Sequence, residues 1–485
     1  MEGEAVRGHG PVRVVGGMTP PEPRDGRPPL HPGRPGKGTA PPECGRGTTG
    51  SDPALLARVL KEAARAEGFD LVGITRPDPS AHGPALGRWL EAGYHGSMMY
   101  LARPDAVERR LEPARNGPGG GVISDESLGP AGRPNSPPHS AGTVLVVGHE
   151  YFQPDPPGVP EDPSRGVVAR YARGRDYHKV VGKGLRRVHR RICEVLGREV
   201  PYRAYVDTGP VLERELGVRA GLGWFGRNTM LIHPRRGSYL FLGALFLALD
   251  AEPDPPFEAD RCGTCRSCLD ACPTGALLGR DAEGAPIMDA RLCISYLTIE
   301  NRGPIPRKLR PLMGNRIYGC DICQEVCPFN GRFAEEAAEP GYAARGPGER
   351  PVGVEAISAV SDGASHLHPG TNAPSLTELL EMALSEERWE AFSRGSAIRR
   401  AGRAGFARNV CVAVGNWLAG EPEPPAEAVA VLTQALSDPE PLVRGHAAWA
   451  LGQAATNEAR FQLSAFASTE EHPWVRKELV GTERE

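Results

Sequence analysis

Eight of the eleven cysteines in this 485-residue chain lie between Cys262 and Cys327, at spacings that suit iron–sulfur chemistry. The first run reads C-G-T-C-R-S-C-L-D-A-C-P and places Cys262, Cys265, Cys268 and Cys272 ahead of Pro273. The second reads C-D-I-C-Q-E-V-C-P and places Cys320, Cys323 and Cys327 ahead of Pro328, with Cys293 between the runs. Eight thiolates are what two four-iron clusters require. In the bacterial ferredoxin spacing, a tight loop aims three sulfurs at one cluster and the proline-terminated cysteine ligates the other. That crossing predicts one [4Fe-4S] cluster on Cys262, Cys265, Cys268 and Cys327, and a second on Cys272, Cys293, Cys320 and Cys323. Zinc asks for closed sets of four from paired C-x-x-C units and leaves the C-P endings unexplained. A disulfide framework belongs to short secreted chains. Cys44, Cys193 and Cys411 lie far from the block, and the last two fall in helical patterns as small packing residues.

The elements that must position these sulfurs follow from composition and periodicity. Residues 1–50 are crowded with Pro, Gly and Arg, cannot bury enough surface to offset ordering entropy, and are expected to be a disordered tail. Structure is expected to begin at Ser51-Asp52-Pro53, a cap and a first-turn proline ahead of Leu55, Leu56, Val59 and Leu60. Residues 116–142 read as a surface insertion before a strand over 143–147. Residues 179–196 predict an amphipathic helix through Val181, Leu185, Val188, Ile192 and Val195. Its outer face carries Lys183, Arg186, Arg187, Arg190 and Arg191, and is read as merely solvated. The apolar run 239–249 reads as a buried strand. Strands and helices alternate over 51–255, so this domain is α/β or α+β, followed by a two-cluster ferredoxin-like domain over 256–335 and a linker over 336–374. Residues 375–485 carry helical patterns at 376–389, 397–418, 425–436 and 441–454, in the style of HEAT-like paired helices. The overall expectation is an α+β protein with C-terminal α-helical HEAT-like repeats.

Net charge is −3, so any nucleic-acid site must be a local patch. The longest apolar run is about half of the ~20 residues that a membrane helix needs, and the N-terminus has no apolar signal core. The expectation is a cytoplasmic protein, monomeric and without a membrane partner.

Two clusters alone make an electron relay, so the flanking polar segments must supply the chemistry. These are R-Y-A-R-G-R-D-Y-H at 170–178, Y-V-D-T-G-P-V-L-E-R at 205–214, G-L-G-W-F-G-R-N-T-M-L-I at 221–232 and C-I-S-Y-L-T-I-E at 293–300. Gly221, Gly223 and Gly226 have dinucleotide-fingerprint spacing. No strand precedes them and no helix follows, so that reading is rejected. An acid-free window holds Arg394, Arg399, Arg400, Arg403 and Arg408. If it is helical, Arg399, Arg400 and Arg403 share an arc of roughly 100° and Arg408 points away. Such a face can neutralise phosphates.

Taken together with the S-A-I-R-R-A-G-R-A-G-F-A-R-N run at 396–409, these segments closely resemble the epoxyqueuosine reductases, over residues 51–480 apart from the low-complexity stretches. The resemblance implies a cobalamin beside the two clusters. It also implies a proton-donating carboxyl at Asp207, and cofactor contacts from Asn228, Thr229, Ser295, Cys320 and Asp321. A catalytic Asp207 would need its pKa raised by an apolar surround, for which Val206 and Val211 are the candidates. No Asp-x-His-x-x-Gly stretch is present to give cobalt a lower histidine. The implied substrate is tRNA carrying epoxyqueuosine in its anticodon loop, where an unstacked base can be splayed into a pocket. Arg399, Arg400 and Arg403 form the tRNA face, with Arg302 nearer the reaction. Electrons would come from an external flavodoxin- or ferredoxin-type donor, enter at the exposed cluster and leave through cobalt. A cobalamin-dependent dehalogenase and a simple ferredoxin-like carrier are the alternatives.

Overall fold

In the computed structural model, residues 52–118, 142–156, 158, 161–349 and 369–482 are described. The 1–50 tail, most of the 116–142 stretch and the middle of the 336–374 linker lie outside the described residues.

The first helix, Pro53–Ala66, starts as its sequence predicts. The Asp52 carboxylate accepts a hydrogen bond from the Ala54 amide at 3.1 Å, Pro53 takes the first turn, and Leu56, Leu60, Ala63 and Ala64 face inward. Four strands form the central sheet in the order Leu71–Thr75, Thr143–Glu150, Leu240–Leu247, Tyr202–Tyr205, and every neighbouring pair is antiparallel. The domain is therefore α+β rather than a parallel α/β sheet. The two central strands read as continuous apolar runs because both faces are covered. Leu145, Val147, Leu245 and Leu247 meet the helix Tyr177–Leu196 through Val181, Leu185, Val188 and Ile192. Val144, Val146, Ala244 and Phe246 point the other way, onto Leu216, Ala220 and Leu231. The basic outer face of the long helix is solvated as expected, with Arg187 and Arg191 on Glu67 and Arg190 on Glu194. Exposed pairs of this kind contribute about 0–1 kcal/mol each.

The glycine-rich 221–226 stretch opens no helix. Gly221 and Gly223 take positive φ (76° and 155°), and two-residue strands Trp224–Phe225 and Leu231–Ile232 pair instead. A Cβ on Gly223 would fall 2.1 Å from the Ile232 carbonyl oxygen, so the turn admits no side chain there. The rejected dinucleotide site is indeed a tight ribbon.

Two helical expectations need correction. The 376–389 pattern is two helices, Leu376–Ala383 and Glu386–Ser393, because Ser385 caps the second through the Arg388 amide. The 397–418 pattern is a 3-10 turn, Ala397–Ala401, and a helix, Arg403–Ala419, divided by Gly402 at φ 71°. Further helices are Ala426–Ala435, Pro441–Gln453, Asn457–Ala467 and Pro473–Thr482. Close approach uses small residues: a Cβ on Gly415 would lie 2.6 Å from the Trp449 ring, and one on Gly445 2.3 Å from Trp474.

The stack leans on the rest of the molecule, as a short repeat array must. One core joins Phe406, Val410 and Leu451 to Leu297, Ile305, Met313 and Ile317 of the cysteine-bearing region. Arg310, fully buried, holds Glu478 with two hydrogen bonds of 2.9 and 3.0 Å. The linker is anchored too. Tyr342 is buried with its hydroxyl 2.9 Å from His149 Nδ1, and buried Arg345 donates to the Phe392 carbonyl.

Candidate active site and cluster loops

Asp207 follows the edge strand Tyr202–Tyr205. Val206 turns inward to the core and Asp207 takes a left-handed φ of 59°, which lifts its carboxyl out of the sheet. This conformation is uncommon for a residue with a side chain. It is held by the Asp207 amide, which donates to Glu213 Oε1 at 2.9 Å. The long helix begins beside it. Asp176 caps that helix, so Tyr177 and His178 project from its first turn. Tyr177 donates its hydroxyl to Asp207 Oδ2 at 2.6 Å and stacks flat on Phe241, with ring centroids 4.4 Å apart. The His178 ring is gripped from both ends, with Nδ1 2.7 Å from Asp176 Oδ1 and Nε2 3.4 Å from Asp207 Oδ2.

The electrostatics depart from expectation. Two-thirds of the Asp207 side chain meets solvent (66 % exposed), yet the concave wall around it desolvates the carboxyl enough to push its pKa up. The His178 ring 3.4 Å away, the Tyr177 hydrogen bond and the charge of Arg214 outweigh that and hold it below the ordinary value. Val206 and Val211 point into separate cores and supply no apolar surround. The raised groups are its neighbours. Burial would lower His178, but the Asp176 and Asp207 carboxylates raise it to about 9, so it is cationic at neutral pH. Burial, then the charge of Asp207, push Glu213 up to about 7. Sequence reasoning singled out the 170–178 segment without assigning roles in it, and passed over Glu213. The signal for both was present: polar residues two and six places from a helix start and from Asp207.

Next to this array lies a cavity of about 470 Å³ lined by Trp89, Val211, Leu212, Phe225, Glu213 and Thr229. Thr229 has a positive φ of 66°, and its buried hydroxyl has no partner, an arrangement that suits a bound polar ligand atom. Arg214 bonds the Thr229 carbonyl oxygen, and buried Asn228 donates to the Cys323 carbonyl oxygen at 3.3 Å. The acid–base array is thus linked to the cysteine loops within a few residues. The cavity combines apolar walls with a rim of charged side chains (His82, Arg88, Arg214, Glu215 and Asp281), and with the orphaned Thr229 hydroxyl this suits an organic cofactor that carries polar groups. Ser295 is half-buried in the helix Ile294–Ile299. Asp321 is a strut: its oxygens accept from the Arg170 amide at 2.7 Å and from Gln324 at 3.1 Å.

None of the eight cysteines of the block is tied up in a disulfide. Cys262, Cys265, Cys268 and Cys327 surround one small cavity of about 50 Å³. Burial first, then the neighbouring Cys262, Cys327 and Cys265, push Cys268 up to about 11. Cys320 is pushed up to about 12, chiefly by burial, with Cys293 adjacent; Cys293 in turn feels Cys272. Cys262, Cys265, Cys268 and Cys327 thus lie together around one cavity, and soft sulfur donors so gathered suit an iron–sulfur cluster.

The arginines are reorganised by the break at Gly402. Arg399 and Arg400 stay half-exposed on the 3-10 turn, paired with Glu390 at 2.8 Å and with Glu300 at 2.9 Å. The Arg403 side chain is only 10 % exposed and clasps Asp438 with two hydrogen bonds, so it does not share their face. Arg302 donates to the Ala401 carbonyl oxygen. Arg408 is buried rather than merely turned away. It donates to the carbonyl oxygens of Leu297, Asn301 and Gly303, while Asn409 takes those of Thr298 and Ile317. The arginine-rich run therefore staples the helical stack onto the segment after Cys293. Tyr100, 43 % exposed beneath the Arg400 guanidinium, completes the rim near Asp207 and was not singled out from the sequence.

A sulfur-rich pair of cluster loops, a solvent-open acid–base array beside a cavity and a helical-repeat stack define a double four-iron-cluster redox protein. Residues 261–330 match the 4Fe-4S double cluster binding domain, 133–208 the epoxyqueuosine reductase QueG family (DUF1730), and 395–481 the HEAT repeats. The epoxyqueuosine reductase of Pseudomonas aeruginosa is 39 % identical over 403 residues, spanning 82 % of this chain and 95 % of that protein. That of Escherichia coli K12 is 37 % identical over 82 % and 89 % of the two chains. An epoxyqueuosine reductase solved with an epoxyqueuosine-modified tRNA-Tyr stem loop superposes with a TM-score of 0.67 at 27 % identity, over 88 % of this chain and 98 % of that one. The Bacillus subtilis enzyme, solved with its catalytic aspartate loop swung out of the active site, gives 0.65 at 26 % over the same shares. The chain belongs to the epoxyqueuosine reductase family. None of its described helices is long and apolar enough to cross a membrane.

Proposed function

We propose that this chain reduces epoxyqueuosine to queuosine in the anticodon loop of tRNA. The observation that carries the reading is the Asp207–Tyr177–His178 array, tied through Asn228 to the Cys323 loop, in a chain 39 % identical to a named epoxyqueuosine reductase. Removing the epoxide oxygen as water takes two electrons and two protons. The two clusters and a cobalamin beside them supply the electrons. Cys262, Cys265, Cys268 and Cys327 hold one cluster, and Cys272, Cys293, Cys320 and Cys323 the other. Thr229 and Ser295 would hold the cobalamin with their side chains, and Asn228 and Cys320-Asp321 with their backbone, because the Asn228 amide and the Asp321 carboxylate are already committed. The ionised Asp207 takes a proton from cationic His178 and passes it to the departing oxygen, while Tyr177 fixes the carboxylate's direction. The enzyme acts as a cytoplasmic monomer supplied by a flavodoxin- or ferredoxin-type donor.

Nucleoside mass spectrometry of epoxyqueuosine-containing tRNA, treated anaerobically with reconstituted protein, cobalamin and a reductant, tests the reading. Queuosine is the expected product. No conversion by fully loaded protein would sink it.

The raised pKa of His178 gives the pH dependence its sign. A base raised from 6.5 to about 9 keeps its proton, and the stabilisation this brings, fully below 6.5 and loses both as pH rises through about 9. Single-turnover rates should therefore fall through that range, and His178→Gln should abolish this limb. A flat wild-type profile between pH 7 and 10 would remove His178 from the proton path.

Arg399 and Arg400 meet the tRNA phosphates, with Arg302 and Arg403 bracing their turn from either side. Replacing Arg399 and Arg400 together by Ala should lower the slope of log Kd against log salt by roughly 1–2, as expected for two lost phosphate contacts. An unchanged slope in a filter-binding titration would place the tRNA elsewhere.

A further inference from the structure

We propose that Trp224 sets the reduction potential of the cluster held by Cys262, Cys265, Cys268 and Cys327, by donating its indole N–H to the Cys262 sulfur. The inference rests on the ligand sets proposed above and adds to them a residue outside the cysteine motif.

Trp224 Nε1 lies 3.4 Å from Cys262 Sγ. An indole nitrogen can donate and cannot accept, so the direction of this bond is settled by chemistry. The ring has no alternative orientation. Phe257 stacks on it at 5.7 Å and 27°, Phe329 meets it edge-on at 4.8 Å and 73°, and its backbone pairs with Ile232. At 3 % exposure Trp224 is out of reach of bulk water, so without the sulfur its N–H would be a buried, unsatisfied donor.

Among the described residues, two other side chains approach sulfurs of the block: Ser267 at 3.5 Å from Cys265 and Thr274 at 3.8 Å from Cys272. Both are hydroxyls two residues beyond their cysteine, at exposed or half-exposed positions where water can take over. Trp224 comes from a different strand, 38 residues away, and nothing can replace it.

When a four-iron cluster takes one electron, its core goes from 2+ to 1+ and part of the added negative charge spreads onto the thiolates. A fixed N–H dipole aimed at one sulfur stabilises the reduced state more than the oxidised one, so the potential rises. This set includes Cys265, which is exposed, and so it is the set an external one-electron donor can reach. A higher potential there favours electron entry.

The test compares wild type with Trp224→Phe, both as holoprotein with iron counted, by anaerobic dithionite titration followed by electron paramagnetic resonance. Phe keeps the aromatic packing and removes only the donor. We expect one of the two couples to move to more negative potential, while the other couple and the iron content are unchanged. Two unmoved couples at full iron content overturn the proposal. Should the variant lose iron, the question passes to wild-type protein carrying 15N-indole tryptophan. A nitrogen hyperfine coupling on the reduced cluster supports the bond, and its absence overturns it. Cys262→Ser separates this inference from its foundation. If that variant leaves both couples and all the iron in place, the ligand assignment is at fault and not the hydrogen bond.

Discussion

Asp207→Asn should yield a protein that binds its clusters, its cobalamin and tRNA normally and turns over roughly 10²–10⁴-fold more slowly, the usual contribution of a positioned general acid. Asparagine tolerates the left-handed φ of 59°, and its amide oxygen can still accept from Tyr177, so the backbone and the helix start stay in place. What it cannot do is carry a proton. The negative charge that raises His178 is also lost, so the histidine should titrate lower in the variant. Single-turnover mass spectrometry with iron and cobalamin quantified checks this, and an undiminished rate would take Asp207 out of the mechanism. The requirement for a raised carboxyl pKa is met differently from the sequence-based expectation. Asp207 is kept ionised, and the nearby groups that hold protons near neutrality are His178 and Glu213, at about 9 and about 7.

The largest stability effect should come from Arg408→Met, a change at a side chain that touches no reacting atom. Arg408 is 1 % exposed, and burial pulls its pKa down to about 9, which still leaves it charged at neutral pH. Its guanidinium satisfies three backbone carbonyls at 2.7–2.8 Å, one of them in the last turn of the helix Ile294–Ile299. Methionine fills similar volume and orphans the Leu297 and Asn301 carbonyls and the Asn409 side-chain oxygen, while Gly303 keeps the Asn301 side-chain amide. Unsatisfied buried acceptors cost about 1–3 kcal/mol each, partly offset because no charge need then be buried, so a net loss of about 3 kcal/mol is expected. Calorimetry should show a lower Tm. Because that helix follows Cys293 directly, the variant should also lose iron from the second cluster first. A wild-type Tm would show that water reaches these carbonyls.

Much of the protein was legible because the relevant physics is local. Cap and first-turn proline at Asp52-Pro53, the 3.6-residue period from Val181 and the apolar run at 239–249 each depend on neighbours in the chain, and helix and strand formed there, the strand as Leu240–Leu247. Val195, read on the apolar face, is nevertheless 49 % exposed, because the helix end runs past the sheet. Two helices were read through their breaks because apolar periodicity continues across Ser385 and Gly402. At both places a single residue's backbone preference overrode it.

The arginines show what was not legible. The window around Arg399, Arg400 and Arg403 has no acid of its own, yet Glu390, Glu300 and Asp438 arrive from other elements and divide the arginines between a surface and a strut. Charge interacts through space, so its partners cannot be counted along the chain. The proton inventory of Asp207 is of the same kind, since Tyr177 and His178 reach it from 30 and 29 residues away. By itself, then, the sequence determined the eight sulfurs and the elements that carry them, because short spacings constrain loops directly. The tertiary structure alone decided which carboxyl is ionised, which arginines stay free, and that an indole points at Cys262. Those depend on desolvation and on contacts that come into being only when distant segments meet.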